Sequence, residues 1–295
     1  MGIELGNLTL ITTKSICNKN CPFCIAKSSG KIYNKTIENK NEFENLEHIL
    51  QDLENNDITF NRLVISGNGE VSFYSIEEIK LIIETIKRHI NMFNGIRLHT
   101  SGNIFYNEEK FNLFNSIENI EFNILRASLN SNRDMEILKY DKDYTNTKLF
   151  KLANKIKLDI ALTSVLEIDK FDKELNEYIE NYPNIKIIRL KELLCGKEDT
   201  SQTKWIKEHR LEKEKIDRKL RKILCNYKLN SKSGEKVIYE NKKNKLIYGA
   251  SGNFKFYNAD FIISNNRLMN YNEEDITIEE IHKLFSNTTC INWKE

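Results

Sequence analysis

Three of the chain's six cysteines, Cys17, Cys21 and Cys24, fall within eight positions of the stretch SICNKNCPFCIAKSS (15–29). Thiols at this spacing bind soft metal ions, and three of them stop one ligand short of a closed tetrahedral zinc site or of a four-iron cluster with one thiolate per iron. Two readings follow from the loop alone: a structural zinc ion completed by a Cys or His from elsewhere, or an iron–sulfur cluster with one iron left open. The other cysteines, Cys195, Cys225 and Cys290, are far apart in sequence. Cys225 and Cys290 are expected in the core. Cys195 is expected to be a small buried residue, with a strand-end hydrogen donor or ligand as the alternative. The N-terminus has no basic stretch leading into an apolar run, and no segment approaches the roughly 18 apolar residues of a membrane span. A cytoplasmic chain is therefore expected, in which clustered thiols stay reduced and serve as ligands or catalysts.

The elements that must position this loop are legible in the alternation of short β-branched runs with stretches of helical period. LTLITT (8–13) reads as a first strand, followed by the cysteine loop and a helix in EFENLEHILQDLEN, with Phe43, Leu46, Ile49, Leu50 and Leu53 on one stripe. RLVISG (62–67), GIRLHTSG (95–102), IEFNILRASL (120–129), LDIALTSVL (158–166) and NIKIIRLKELL (184–194) read as further strands. Helices are expected in 75–90, where Ser75 and Glu78 have the spacing of a capping box, in 108–117, and near 145–156 and 170–181. Six strand–helix units fall short of the eight that close a full barrel. After residue 200 the pattern changes to one long charged helix (201–224), an antiparallel pair within 236–257 and a last helix near 277–286. The expected division is a core domain over 1–200 and an extension over 201–295, with the boundary in GKEDTSQ (196–202). The 295 residues carry 45 basic and 43 acidic side chains, a balance that excludes a bulk attraction to nucleic acid or to an anionic membrane. His48, His89 and His282 fall in helices and are expected at the surface.

Ligands of parallel α/β folds sit at the carboxyl ends of the strands. The second strand ends in Ser66-Gly67-Asn68-Gly69-Glu70, the third in LHTSGN with Thr100, Ser101 and Asn103, and the fourth in ASLNS with Ser128 and Asn130. Together with the C-x3-C-x2-C loop after the first strand, these resemble the radical S-adenosylmethionine superfamily. The resemblance implies an α/β fold, a partial (β/α)6 TIM-like barrel, here with a small α+β C-terminal extension. It implies that Cys17, Cys21 and Cys24 hold a [4Fe-4S] cluster whose open iron is chelated by the amino and carboxylate groups of S-adenosylmethionine. By the same resemblance Phe23 lies near the adenine, and Ser66 to Glu70 receive the cofactor's amino group. Thr100 and Ser101 line the cofactor pocket, Ser128 binds the carboxylate, and Asn130 stands near the ribose in place of the usual Asp. Val71 replaces the usual Pro after the glutamate.

The implied chemistry is reductive cleavage of the cofactor's carbon–sulfur bond, giving methionine and a 5′-deoxyadenosyl radical that removes hydrogen from a substrate. An electron donor such as flavodoxin or ferredoxin is implied with it. Substrate contacts are expected inside the barrel, and the candidates are His99, Arg126, Thr163, Ser164, Arg189, Glu192 and Cys195. IRLKELLCGKEDT (188–200), and more faintly the hairpin 244–257, resemble the branch that includes the GTP cyclase of molybdenum-cofactor synthesis. The hairpin lacks that branch's second-cluster cysteines, and the C-terminus lacks its glycine pair. One cluster is therefore expected, and a small molecule or nucleotide is the favoured substrate, with a peptide or RNA as the competing class. The net basic stretch 204–223, with Trp205, is a solvated helix face or a phosphate contact. The non-enzyme alternative is a zinc-stabilised module that holds nucleic acid through that stretch.

Overall fold

The structure is a computed structural model that describes residues 2–14, 17–24, 27, 43–162, 171–193, 195, 199–233, 236–242, 245–249, 260–264, 266–270 and 274–285. Six strands, β1 (Ile3–Thr12), β2 (Ile58–Gly67), β3 (Ile96–Thr100), β4 (Ile120–Arg126), β5 (Ile156–Leu162) and β6 (Ile185–Glu192), lie side by side in chain order, each parallel to the next. Between them run α1 (Leu46–Asn55), α2 (Ile76–Arg88), α3 (Glu108–Asn115), α4 (Ser131–Leu138), α5 (Lys148–Leu152) and α6 (Phe171–Asn181). This is a partial (β/α)6 arrangement whose sheet stays open. No described helix is long and apolar enough to cross a membrane.

Alternation along the strands decides which side chains meet the helices. Ile65, Leu98, Phe122, Ile124, Leu158 and Ile188 are buried and share one core with Ile79, Ile82 and Ile86 of α2, Phe111 and Phe114 of α3 and Leu175 of α6. With side chains alternating at period two, Val64, Ser66, Arg97, His99, Glu121, Asn123, Lys157 and Arg189 occupy the opposite, inner face. The capping box of α2 is formed as expected: Ser75 Oγ accepts from Glu78 N at 3.2 Å and Glu78 Oε2 accepts from Ser75 N at 2.8 Å.

Several expectations need correction. The charged run after residue 200 is not one helix but two, α7 (Ser201–His209) and α8 (Lys213–Ile223). Its buried residues Ile206, Leu211 and Ile216 are five apart. On a continuous helix each step of five would rotate the apolar side by about 140°, and the break lets Ile206 pack with Leu193 while Leu211 and Ile216 join the main core. Helix α4 was not anticipated, and the helix expected near 145–156 is a 3-10 turn at Tyr144–Asn146 followed by the five residues of α5. His89 is buried, not at the surface: it closes α2 against α1, with Nδ1 2.7 Å from Glu54 Oε2 and Nε2 3.2 Å from Glu47 Oε1. Cys195 and Cys225 are exposed rather than in the core, one just beyond the end of β6 and the other in a single turn after α8. Cys290, Thr163 and Ser164 lie outside the described residues.

The extension builds onto the same sheet at both edges. β7 (Lys228–Ser233), β8 (Lys236–Glu240) and β9 (Lys245–Gly249) are successively antiparallel, and β9 runs parallel beside β6. β10 (Phe261–Ser264) runs parallel beside β1, and β11 (Arg267–Asn270) pairs antiparallel outside it. The Asn7 backbone N–H and side-chain amide donate to Asp260 Oδ1 at 2.6 and 3.1 Å, securing that junction. The last helix is α9 (Ile278–Phe285).

Candidate functional site

The cysteine loop leaves the carboxyl end of β1 and lies across the ends of the following strands. Asn18 Nδ2 donates to Asn103 Oδ1 beyond β3 at 3.2 Å, and Asn20 N donates to the carbonyl of Leu138 at the end of α4 at 2.8 Å. Within the loop, Lys19 N donates to Cys17 Sγ at 3.4 Å. Burial pushes the Cys21 thiol up to about 12, against the pull of the Lys19 ammonium, and partial burial raises the Cys17 thiol as well. Cys17, Cys21 and Cys24 act on one another electrostatically. They are not drawn together to ligand distance: among the described residues no three His, Cys, Asp or Glu side chains form a group able to hold a metal ion. Phe23 packs against Cys21, Ala127, Ile137 and Leu138 on one side and Leu193 and Ile206 on the other, with its ring 5.8 Å from that of Trp205.

The β2 and β3 ends are joined through Glu70, which is 2 % exposed. Its Oε1 accepts from Thr100 Oγ1 at 2.6 Å and from Ser72 N at 3.4 Å, and its Oε2 accepts from Ser101 N. Thr100 Oγ1 in turn accepts from Gly102 N at 3.1 Å. Gly102 has φ +96°, and a Cβ there would lie 2.2 Å from the Tyr144 ring, so both the turn and the ring require glycine. At Gly67 a Cβ would lie 1.8 Å from Thr12 Oγ1, which fixes the close approach of β1 to β2. Asn68 N donates to Thr12 O at 3.0 Å and its Nδ2 to Thr13 O at 3.3 Å. Gly69 lies in the bend that follows.

After β4 the chain turns around Asp134, which is fully buried and accepts from Ala127 N at 2.6 Å and Ser128 N at 3.2 Å. The Tyr140 hydroxyl donates to its other oxygen. Ser128 Oγ accepts from Asn130 N at 3.1 Å, and Asn130 Oδ1 caps α4 by accepting from Arg133 N at 3.1 Å. Arg126 belongs to this frame. Its position in β4 alternates with the inner face, it is 0 % exposed, and it donates to the Ser128 carbonyl at 3.1 Å and to Ser131 Oγ at 3.3 Å. Its guanidinium stands 3.5 Å from Asp134 and 3.9 Å from Asp143. Burial opposes the charge of Asp143, but hydrogen bonds from Ser131 and Thr145 and the nearby Arg126 hold its carboxyl below the ordinary value. Nothing in the spacing of Arg126, Asp134 and Asp143 marks them as partners. An Asn one residue before SNRDMEIL was the available signal for α4.

On the inner face His99 Nδ1 is 3.2 Å from Ser66 Oγ. Deeper in the strands Glu121 pairs with Lys157, with Lys155 at 3.2 Å and with Arg97 at 3.2 Å. Burial and the adjacent Arg97 push the Arg62 guanidinium down to about 10. Arg189 lies on this face, in a strand position paired in register with residue 159 of β5, and Glu192 is the last residue of β6. Of these basic residues the sequence pointed to Arg189 alone, and not to Arg62, Arg97, Lys155, Lys157 or Lys19.

Three buried polar atoms at the strand ends have no hydrogen-bond partner among the described residues: Asn68 Oδ1, Ser101 Oγ and Lys19 Nζ. An unpaired buried polar group costs about 1–3 kcal/mol, and more when charged. The acceptor and the hydroxyl are the complement of an ammonium and a carboxylate, and a buried cation is the complement of a nearby negative charge. Three soft thiols one ligand short of a closed set complement a cluster with an open iron. The donor set therefore fits an iron–sulfur cluster joined to an amino-acid moiety.

No protein-family model matches the chain, and no curated protein matches it. Among solved structures it is similar to Streptococcus suis SuiB bound to S-adenosylmethionine, at 14% identity and TM-score 0.56, over 89% of this chain and 59% of that one. It is similar also to the coproporphyrinogen III oxidase HemN from Escherichia coli, described as a radical SAM enzyme, at 11% identity and TM-score 0.55, over 90% of this chain and 66% of that one. The hydrogenase maturase HydG matches at 12% identity and TM-score 0.50, over 75% of this chain and 49% of that one. The chain thus spans less than two thirds of the length of these structures, and what it shares with them is the partial-barrel fold.

Proposed function

We propose that this chain is a radical S-adenosylmethionine enzyme, with a [4Fe-4S] cluster on Cys17, Cys21 and Cys24 and S-adenosylmethionine at the adjoining strand ends. The observation that carries the proposal is the C-x3-C-x2-C loop directly after the first strand of a six-strand partial barrel, at the end where an acceptor, a hydroxyl and a cation are buried without partners among the described residues. When bound, these groups supply an electron and a carbon-centred radical that removes hydrogen from an unactivated carbon. The chain's own residues bind, orient and exclude water. Glu70 holds Thr100 and Ser101 in place and the Thr12 and Thr13 carbonyls hold Asn68, which leaves Asn68 Oδ1 and Ser101 Oγ for the cofactor's polar groups. Ser128, whose oxygen already accepts from Asn130 N, retains its proton for a carboxylate. Asn130, spent at Oδ1 on the α4 cap, offers its amide N–H groups to the ribose. Phe23 and Trp205 shield the loop, with Phe23 beside the adenine.

The inner face, where His99 and Arg189 lie, is the substrate surface. It carries Arg62, Arg97, Lys157 and Arg189, with Glu121 among them, basic side chains that suit an anionic small molecule such as a nucleotide. A flavodoxin- or ferredoxin-type donor would deliver the electron. Anaerobic reconstitution tests the proposal. The expected result is a brown protein with about four irons per chain that, given dithionite and S-adenosylmethionine, releases 5′-deoxyadenosine and methionine. Nucleotides are expected to accelerate that release more than sugars or short peptides. A colourless protein that takes up zinc alone would overturn it, and acceleration by peptides would replace the substrate class.

A further inference from the structure

Lys19 occupies the middle of the loop, two residues from Cys17 and two from Cys21, and is 6 % exposed. Its Nζ lies 4.2 Å from the centre of the Tyr140 ring and 5.2 Å from that of Tyr144, and has no hydrogen-bond acceptor among the described residues. The two carboxylates that act on it are already engaged. Asp134 accepts from Ala127 N, Ser128 N and the Tyr140 hydroxyl and faces Arg126, while Glu70 accepts from Thr100, Ser101 and Ser72. Two ring faces compensate only part of the cost of desolvating an ammonium. A methionine would fill the same space between the rings without that cost, so packing alone does not account for a lysine here.

We infer that Lys19 is the counter-charge of the metal centre in its own loop, a positioning residue whose ammonium faces the anionic sulfur of the cluster and makes that cluster easier to reduce. The inference rests on the proposal that the loop holds an iron–sulfur cluster. Three thiolates leave a four-iron cluster with net negative charge, and uptake of one electron increases it. A fixed cation beside it therefore favours the reduced form, since cluster potentials follow net charge, hydrogen bonds to sulfur and burial. The same residue already makes one such contact, from its backbone N–H to Cys17 Sγ at 3.4 Å.

The test uses the full chain with Lys19→Met and Lys19→Arg, reconstituted anaerobically and titrated with dithionite under EPR detection without S-adenosylmethionine. Lys19→Met is expected to keep about four irons per chain. At the potential where the wild type is half reduced, its reduced-to-oxidised ratio should fall about tenfold, a shift of about 59 mV for a one-electron couple. Lys19→Arg should restore most of the difference. The metal-free Lys19→Met chain should melt no lower than the wild type, because an unpaired buried charge has been removed. An unchanged potential at full iron content would overturn the inference, as would a lowered melting temperature, which would make Lys19 structural. A loss of S-adenosylmethionine affinity at unchanged potential would reassign the ammonium to the cofactor's carboxylate and overturn it too. A wild-type chain that takes up no iron would defeat the cluster proposal first, and this inference with it.

Discussion

The two sides of the strand-end surface are built differently. On the β2–β4 side the buried Glu70 and Arg126 have their partners inside the chain: Glu70 ties Thr100 to Ser101, and Arg126 closes on Asp134 and Asp143. On the cysteine side, burial raises the Cys17 and Cys21 thiols, and Lys19 lies between two rings with no acceptor among the described residues. The first side holds its charges on its own bonds and leaves only the neutral Asn68 Oδ1 and Ser101 Oγ of its strand ends without partners among the described residues. The second leaves its polar groups to be satisfied by something other than the polypeptide. The contrast teaches that the loop's cost is carried by the frame behind it, and it separates two kinds of variant: those that cost stability and those that cost binding.

The largest expected effect is on metal content. Replacing Cys17, Cys21 and Cys24 together by Ala should take iron from about four per chain to none, while the urea-determined stability of the metal-free protein moves by no more than about 1 kcal/mol. The Cys195, Cys225 and Cys290 triple variant should keep its iron. A strongly destabilised cysteine variant would erase the contrast. Next in size is Arg126→Met, which strands Asp134 and Asp143 and should cost about 3–5 kcal/mol in urea denaturation. Little or no loss would show that this side, too, is unfinished.

Glu70→Ala sharpens the boundary, because it touches both sides. It should remove about 1.5–3 kcal/mol of stability through lost charge-assisted bonds, and it should weaken S-adenosylmethionine about ten- to hundredfold in calorimetry. Ser128→Ala should affect the affinity with little change in stability. Unchanged affinity in both variants would misplace the pocket. The smallest effect is in the acid limb. Asp143 titrates below its ordinary value of 3.8, so its stabilisation is fully present above that value and disappears as pH falls through the lower, folded one. Asp143→Asn should flatten the acid dependence of stability over that window, and an unchanged slope would remove Asp143 from the network.

How much of this was legible in the sequence follows from the range of the interactions. The six core strands and the Ser75 cap are local or periodic, and period-two runs and a four-residue box declare themselves in one stretch of chain. Cys17, Cys21 and Cys24 were legible because thiols are rare here and their spacing is short. The partnership of Arg126 with Asp143, and of Lys19 with Tyr140, depends on the sheet bringing distant segments together, and no periodicity encodes it. His89 misled for the same reason: its place in a helix was correct, but the partner helix that buries it was invisible. Strands β10 and β11 were missed because four residues each is too short for alternation to register.

The junction of β1 with β10 has a consequence for biogenesis. Asn7 and Asp260 are 253 residues apart. A ribosome adding about 5–20 residues per second would leave that flank of β1 without its neighbour for roughly 10–50 s after β1 is made. Throughout that interval the nascent chain presents an apolar strand edge, the feature that most readily recruits a wrong strand from another molecule. Such long-range pairing also slows folding, because the loop-closure entropy must be overcome before the contact forms. The sheet is therefore finished last at the strand made first, and chaperone occupancy of the emerging chain should persist until β10 has left the exit tunnel.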